Sequence, residues 1–234
     1  MTRLLRPAAL AALLAALAAG LSGAQDKSVR PGINDPFKDP DVGKYVGTFE
    51  VESREIYSQR EKIVAACGLK PGLVVADVGA GTGLFTRLFA PKVGPTGKVI
   101  AVDIAQKFLD HIATTCKEAG ITNVETRLCK ADSVELPAAS VDVVFICDTY
   151  HHFEFPFRTM ASIHAALKPG GRVVLVDFHR IPGKSREWVI GHVRVGRDVV
   201  IKEVESCGFK LAGEEKDILE ENYIVRFDKV ERPK

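Results

Sequence analysis

Leu73-Val74-Val75-Ala76-Asp77-Val78-Gly79-Ala80-Gly81-Thr82-Gly83 is the stretch that decides the fold. A short β-branched run ends in an acid, and glycines follow at three alternate positions before a helical pattern opens at Leu84. Strand, bare-backbone turn and helix make the opening unit of a parallel sheet wound with helices, and they leave a ligand-accessible loop at the strand's carboxyl end.

Downstream the same alternation repeats. Lys98–Asp103, Asn123–Leu128, Val141–Cys147 and Arg172–Asp177 read as strands, with helical patterns at Leu84–Ala90, Ala105–Ala119 and Phe157–Leu167 between them. Phe108, Leu109, Ile112, Ala113 and Cys116 share one helix face, and Gly120 stops that helix. Residues 133–137 are too few for more than a turn or brief helix. A helix at about Gly196–Ser206 leads to a strand at Phe209–Asp217, and a short connector reaches the last strand at Tyr223–Phe227. So short a connector cannot carry a parallel crossover, so these two strands must pair antiparallel. The prediction is an α/β three-layer sandwich on a seven-stranded, mostly parallel sheet with an antiparallel last strand.

Upstream, a helix is expected to start at a Ser53 cap and end at Gly68, with Ile56, Ile63, Val64 and Cys67 on its buried face. Arg60 lies on that stripe, either with its stem packed and its head in water or against an anionic ligand group. Residues 25–52, rich in Pro, Gly, Asp and Asn without a period, read as a linker draped over a domain spanning 53–234. Residues 1–24 have the pattern of a secretory signal peptide: Arg3 and Arg6, then the apolar run Pro7–Leu21, then Ser22-Gly23-Ala24. Export to a periplasmic or extracellular location is the expectation. The alternative is association with a membrane through an uncleaved anchor at residues 4–21, although the run falls short of the ~20 residues a spanning helix needs.

Without that leader the formal net charge falls from +2 to zero, and no long single-sign block remains. This argues against a nucleic-acid partner and for small-molecule chemistry. Cys67, Cys116, Cys129, Cys147 and Cys207 are odd in number and show no CxxC spacing, so they read as small buried hydrophobes. Unpaired thiols sit awkwardly with export.

The loop's third glycine comes one residue earlier than in the dinucleotide pattern G-x-G-x-x-G, and Asp77 would repel a pyrophosphate. S-adenosylmethionine carries an ammonium and a sulfonium and no phosphate, so an acid here suits its charge. Asp103, at the end of the second strand, can accept both ribose hydroxyls, and Ile104 can flank the adenine. Asp132, followed by Ser133, is placed to accept from the adenine amine. Asp148-Thr149-Tyr150-His151-His152-Phe153 brings polar and aromatic groups to the crevice beyond the fourth strand. Adjacent histidines cannot both point one way from a helix or strand, so one is expected to line the pocket and no metal site is expected. His179 and His192 fall in a variable stretch suited to a substrate lid.

In these motifs the sequence resembles the class I, seven-stranded, Rossmann-like S-adenosylmethionine-dependent methyltransferase family, from about Glu55 to Val230. The family's first motif resembles Val75–Gly83, its ribose acid Asp103, its adenine acid Asp132 and its fourth-strand motif Asp148–His152. The turn Leu167-Lys168-Pro169-Gly170-Gly171 is similar to the one these enzymes place before strand five. The resemblance implies S-adenosyl-L-methionine as cofactor, bound by Asp77, Gly79, Gly81, Gly83, Asp103, Ile104, Asp132, Ser133 and Asp148, and methyl transfer to a small-molecule acceptor. His151, His152, His179 or His192 could serve as base, with His151 the first choice. An NAD(P)-dependent oxidoreductase and a non-catalytic cofactor-binding relative at the cell envelope are the competing readings.

Overall fold

The order of the strands puts the site where it is. A computed structural model describes residues 25–230, so the leader read at 1–24 lies outside the described residues. The strands are β1 (Val74–Val78), β2 (Lys98–Asp103), β3 (Val124–Leu128), β4 (Val141–Cys147), β5 (Leu167–Phe178), β6 (Phe209–Glu215) and β7 (Asn222–Lys229). They form one seven-stranded sheet in the order β3-β2-β1-β4-β5-β7-β6. The pairings linking β1 to β5 are parallel, and β7 runs antiparallel to both β5 and β6. The short connector after β6 has the predicted consequence. The chain winds outward from β1 to β3, then restarts on the other side with β4, and a crevice opens beyond the carboxyl ends of β1 and β4 at that reversal.

The helices are α1 (Val42–Phe49), α2 (Glu55–Ser58), α3 (Arg60–Ala66), α4 (Leu84–Val93), α5 (Gln106–Glu118), α6 (Pro156–Ala166), α7 (Glu187–His192) and α8 (Arg197–Ser206). Side chains alternate across a strand, so both faces of the central strands must be apolar if helices cover both. On one face Ala76, Val78, Val102, Val144 and Ile146 pack with Met160 and Ile163 of α6 and Val200 and Val204 of α8. On the other, Val75, Val99, Val143 and Phe145 meet Ile63 and Val64 of α3 and Phe85 and Phe89 of α4. Leu109, Ile112 and Cys116 of α5 close on Ala101. Among the described residues no helix is long and apolar enough to cross a membrane.

Three local expectations change. The helix foreseen from Ser53 to Gly68 is two helices, broken at Gln59 (φ −100°, ψ 10°), and Arg54 rather than Ser53 stands at its start. The linker 25–52 contains α1, capped by the Asp41 carboxylate on the Lys44 N–H at 3.1 Å. Its two glycines hid the helix, but Tyr45 and Phe49 stack one turn apart (5.1 Å) and Tyr45 packs edge-on to Phe108 of α5 (5.5 Å). The turn Leu167–Gly171 lies inside β5 as an irregularity, between the pairs Val141↔Leu167 and Val143↔Arg172.

Candidate active site

After β1 the chain passes through Gly79, Gly81 and Gly83 at φ 75°, 53° and 81°, a left-handed region that a Cβ disfavours. The three glycines answer different demands. A Cβ on Gly79 would lie 2.2 Å from Thr149 Cγ2, and one on Gly83 would lie 2.6 Å from Ile112 Cγ1, whereas one on Gly81 would sit 3.6 Å from the Phe49 ring. Close packing against the β4 end and α5 therefore requires two of them, and only Gly81 fits the simple reading of bare backbone left free for a ligand. The Gly81 N–H donates to Asp103 Oδ2 at 2.9 Å, and the Ala105 N–H donates to Asp103 Oδ1 at 2.9 Å. Asp103 thus ties the loop to the end of β2. Burial raises its pKa, opposed by the N–H groups of Ala105, Gly81 and Ile104. Asp77 is buried on the α4 side and accepts from the Thr86 hydroxyl at 2.6 Å. Burial pushes its pKa up to about 6, with the Thr86 hydroxyl opposing and Asp103 adding to the rise.

Beyond these residues lies a cavity of about 630 Å³. Asp77, Gly79, Gly81, Asp103 and Ile104 line it, and so do Asp148, His151 and His152. Gly83, Asp132 and Ser133 do not. Asp132 pairs with Arg158 at 2.8 Å, and Ser133 Oγ accepts the Glu135 N–H at 3.2 Å. Their loop gives the wall Lys130, Ala131 and Val134 instead. Asp148 (φ 47°) is built into the wall by an ion pair with Arg54 and a 2.6 Å bond from the Asn222 amide. Arg54 carried no signal in the sequence. Arg60, which did, lies over the Tyr57 ring at 4.1 Å and donates to the Tyr57 carbonyl, so it holds its own helix turn. Glu50, from the segment read as a linker, accepts two 2.8 Å bonds from Arg87 and one of 2.7 Å from the Thr82 hydroxyl, bracing the glycine loop from outside.

At the opposite end stand three histidines. Tyr150–His152 is a 3-10 turn rather than a helix or strand, so the argument that only one of the adjacent histidines could face the cavity does not hold, and both line it. His151 is 4% exposed, and its Nδ1 lies 2.7 Å from Asp177 Oδ1. The Asp177 carboxylate also accepts the N–H groups of His151 (3.1 Å) and Phe178 (2.8 Å), which fixes its orientation. Burial works against protonation of His151, but the Asp177 charge and hydrogen bond overcome it and its pKa is raised. His152 is lowered to about 3 by burial, then by His151 and His192. His192, at the end of α7, joins the cluster, while His179 packs against the Tyr223 ring at 5.4 Å outside the cavity. Trp188 forms part of the roof, edge-on to Phe178 at 5.0 Å. Cys129 and Cys147 also line the cavity. Burial pushes the first up to about 12 and the second well above the usual thiol range, so both are neutral wall groups rather than nucleophiles.

A family model described as a methyltransferase domain matches residues 75–171. The ubiquinone/menaquinone biosynthesis C-methyltransferase UbiE of Ralstonia pickettii is 31% identical over 118 residues, which cover 50% of this chain and 48% of that protein. The UbiE of Burkholderia vietnamiensis matches to the same extent. The match thus spans about half the length of these curated relatives. Among solved structures, a SAM-dependent methyltransferase from Aquifex aeolicus is 22% identical with a TM-score of 0.71, over 82% of this chain and 100% of that one. The [4+2]-cyclase SpnF superposes at a TM-score of 0.64 with 16% identity, over 74% of this chain and 81% of that one. One sheet therefore carries more than one chemistry, and the fold alone does not decide among them. The family model falls on the strands that carry the glycine loop, Asp77 and Asp103, and the solved structures share the fold of the sheet: residues 75–171 are similar to a methyltransferase domain.

Proposed function

We propose that the chain transfers a methyl group from S-adenosyl-L-methionine to a small-molecule acceptor. One observation carries this reading: two buried carboxylates, Asp77 and Asp103, border the same glycine loop, and burial weakens the acidity of both. A cationic, phosphate-free ligand offsets that charge, whereas a nicotinamide dinucleotide would add its pyrophosphate to it. The residues fit the cofactor on this ground. Asp103 keeps lone pairs beyond those taken by Gly81 and Ala105, enough to hold ribose hydroxyls, and Ile104 flanks the base. The bound cofactor supplies an activated sulfonium methyl group.

The protein's own work is alignment, worth up to ~7–11 kcal/mol in the best intramolecular systems. Phe153, Phe178 and Trp188 give the far end of the cavity apolar ring surfaces, which suit a flat apolar acceptor. The names of the UbiE relatives support an acceptor of the quinone-precursor class. His151, held by Asp177, takes the acceptor's proton in the metal-free protein, a contribution of ~10²–10⁴-fold. Calorimetric titration with S-adenosylhomocysteine and with NADH tests the cofactor: we expect the first to bind, and binding of NADH alone overturns the reading. A methyl-transfer screen over quinols, phenols, thiols and carboxylates then identifies the acceptor, and cofactor binding with no turnover on any of them favours the non-catalytic reading. Export through the leader is part of the same proposal. A start at Met1 in a membrane fraction, read by N-terminal sequencing, would refute cleavage.

A further inference from the structure

The histidine end of the cavity has features that a general base does not need. One ring nitrogen from each of His151, His152 and His192 can be chosen so that all three lie within 4.8 Å of one another. One pair, His152 Nε2 and His192 Nε2, is 3.3 Å apart, within hydrogen-bond reach. Two nitrogens bound to one tetrahedral Zn²⁺ at ~2.0–2.1 Å stand ~3.3–3.4 Å apart, so this edge already has the length of a metal site. The remaining edges are no longer than 4.8 Å. His151 is held through Nδ1 by Asp177, which leaves Nε2 as its free ligand atom, in the carboxylate–histidine arrangement that orients metal-bound imidazoles. The three imidazoles pack with ring centroids 4.4, 5.0 and 5.2 Å apart.

The surroundings complete the site. Asp177 and Asp148 supply negative charge, and among the described residues Arg30 is the one side-chain cation outside the cluster acting on all three rings. Arg30 also donates to the carbonyls of Gly191 and His192, which pins the end of α7 and the position of the His192 ring.

We propose that His151, His152 and His192 bind a divalent transition-metal cation of the zinc class, with the fourth coordination position open to the cavity. Three histidines with one open position is the catalytic rather than the structural form of such sites. The role of the cation deepens the methyltransferase reading and rests on it; the binding itself does not. A protic oxygen of the acceptor, placed on the open position, would be acidified there: its O–H bond breaks, the electron pair stays on oxygen and the proton leaves to water. His151 is then a ligand, and the cation takes over the task it performs as base in the metal-free protein.

Co²⁺ titration of chelator-stripped full-length protein, read by visible absorption, tests this. We expect the intense bands of four-coordinate cobalt, abolished by stoichiometric Zn²⁺. In His192→Ala the affinity should fall at least ~100-fold, and in Asp177→Asn ~10–100-fold. His192 sits on a short, half-exposed helix, so a wild-type melting curve for His192→Ala keeps the comparison interpretable. Absence of the four-coordinate spectrum, or equal cobalt affinity in wild type and His192→Ala, overturns the proposal. S-adenosylhomocysteine titration on the same samples reads the cofactor separately: cobalt bound with no binding of this ligand overturns the methyltransferase proposal and leaves the metal site standing.

Discussion

Asp103→Asn separates two jobs that one carboxylate performs. In the folded protein Asp103 accepts the N–H groups of Gly81 and Ala105, each at 2.9 Å, one on each oxygen. An asparagine amide keeps the shape but offers one acceptor oxygen, so one of these two N–H groups then faces an NH₂ donor. Leaving a buried donor unpaired costs about 1–3 kcal/mol. The charge whose burial raises the carboxyl's pKa is removed as well, which offsets part of that loss and places the expected destabilisation at the lower end, about 1 kcal/mol. Cofactor binding loses more. A charge-assisted bond to a ribose hydroxyl is worth about 1.5–3 kcal/mol, so the affinity for S-adenosylhomocysteine should fall roughly 10- to 150-fold. Urea unfolding measures the first effect and calorimetric titration the second. Undiminished affinity would refute the ribose assignment, and a tenfold loss of affinity with no loss of stability would refute the role of Asp103 as loop anchor.

Asp77→Asn should change how stability depends on pH. The Asp77 pKa is raised from 3.8 to about 6 by burial, so the folded state holds this proton more tightly than the unfolded one. The resulting stabilisation is complete below 3.8 and lost as pH rises to about 6, a change of about 3 kcal/mol that the variant should lack. Urea midpoints measured across that window would show parallel slopes for the two proteins if the burial argument is wrong. Gly79→Ala places a methyl group 2.2 Å from Thr149 Cγ2 at φ 75°. It should lose about 1–3 kcal/mol from the backbone alone, and Thr149→Gly should restore part of the additional loss; a variant as stable as wild type by urea unfolding refutes this. Glu203→Ala removes two bonds to Arg194 (2.8 and 2.6 Å) and one from the Tyr150 hydroxyl (2.9 Å) behind the histidine turn. Stranding that guanidinium should cost about 3–5 kcal/mol by urea unfolding, with a smaller loss for Glu203→Gln.

The sheet was legible because its signals are local and redundant. The runs of β1, β2, β4 and β5 are apolar on both faces, the alternating helices enforce parallel pairing, and the short connector between β6 and β7 admits one pairing only. Asp77, Gly81 and Asp103 were legible for a related reason: a parallel sheet presents the ends of its strands to one crevice. The rest of the site comes from places where local pattern carries no information. Arg54 and Glu50 are charged residues near a helix end, and nothing in their neighbours marks them as facing inward. Asp177 stands one residue before the end of β5, yet its partner His151 is 26 residues earlier in the chain, and only tertiary pairing of β4 with β5 brings the two together. Asp132, read as a ligand group from its place after β3, meets a partner the local pattern does not reveal, Arg158 of α6 at 2.8 Å.

The segment 25–52 has the least pattern of all and the most influence on the cavity. Arg30 holds the end of α7, the Asn34 amide donates to the His152 carbonyl at 3.0 Å, and Phe37 meets the His152 ring edge-on at 5.2 Å. Farther along the same segment, Tyr45 and Phe49 cover the loop side, and Glu50 braces Thr82 and Arg87. One strap therefore touches the histidine end and the glycine loop at once. A strap of this kind does not need the regular period of a core element, since its contacts are a few aromatic rings and ion pairs spaced by turns. That is why composition described it as a linker, and why the cavity is formed jointly by the regular sheet and by the least regular segment beside it.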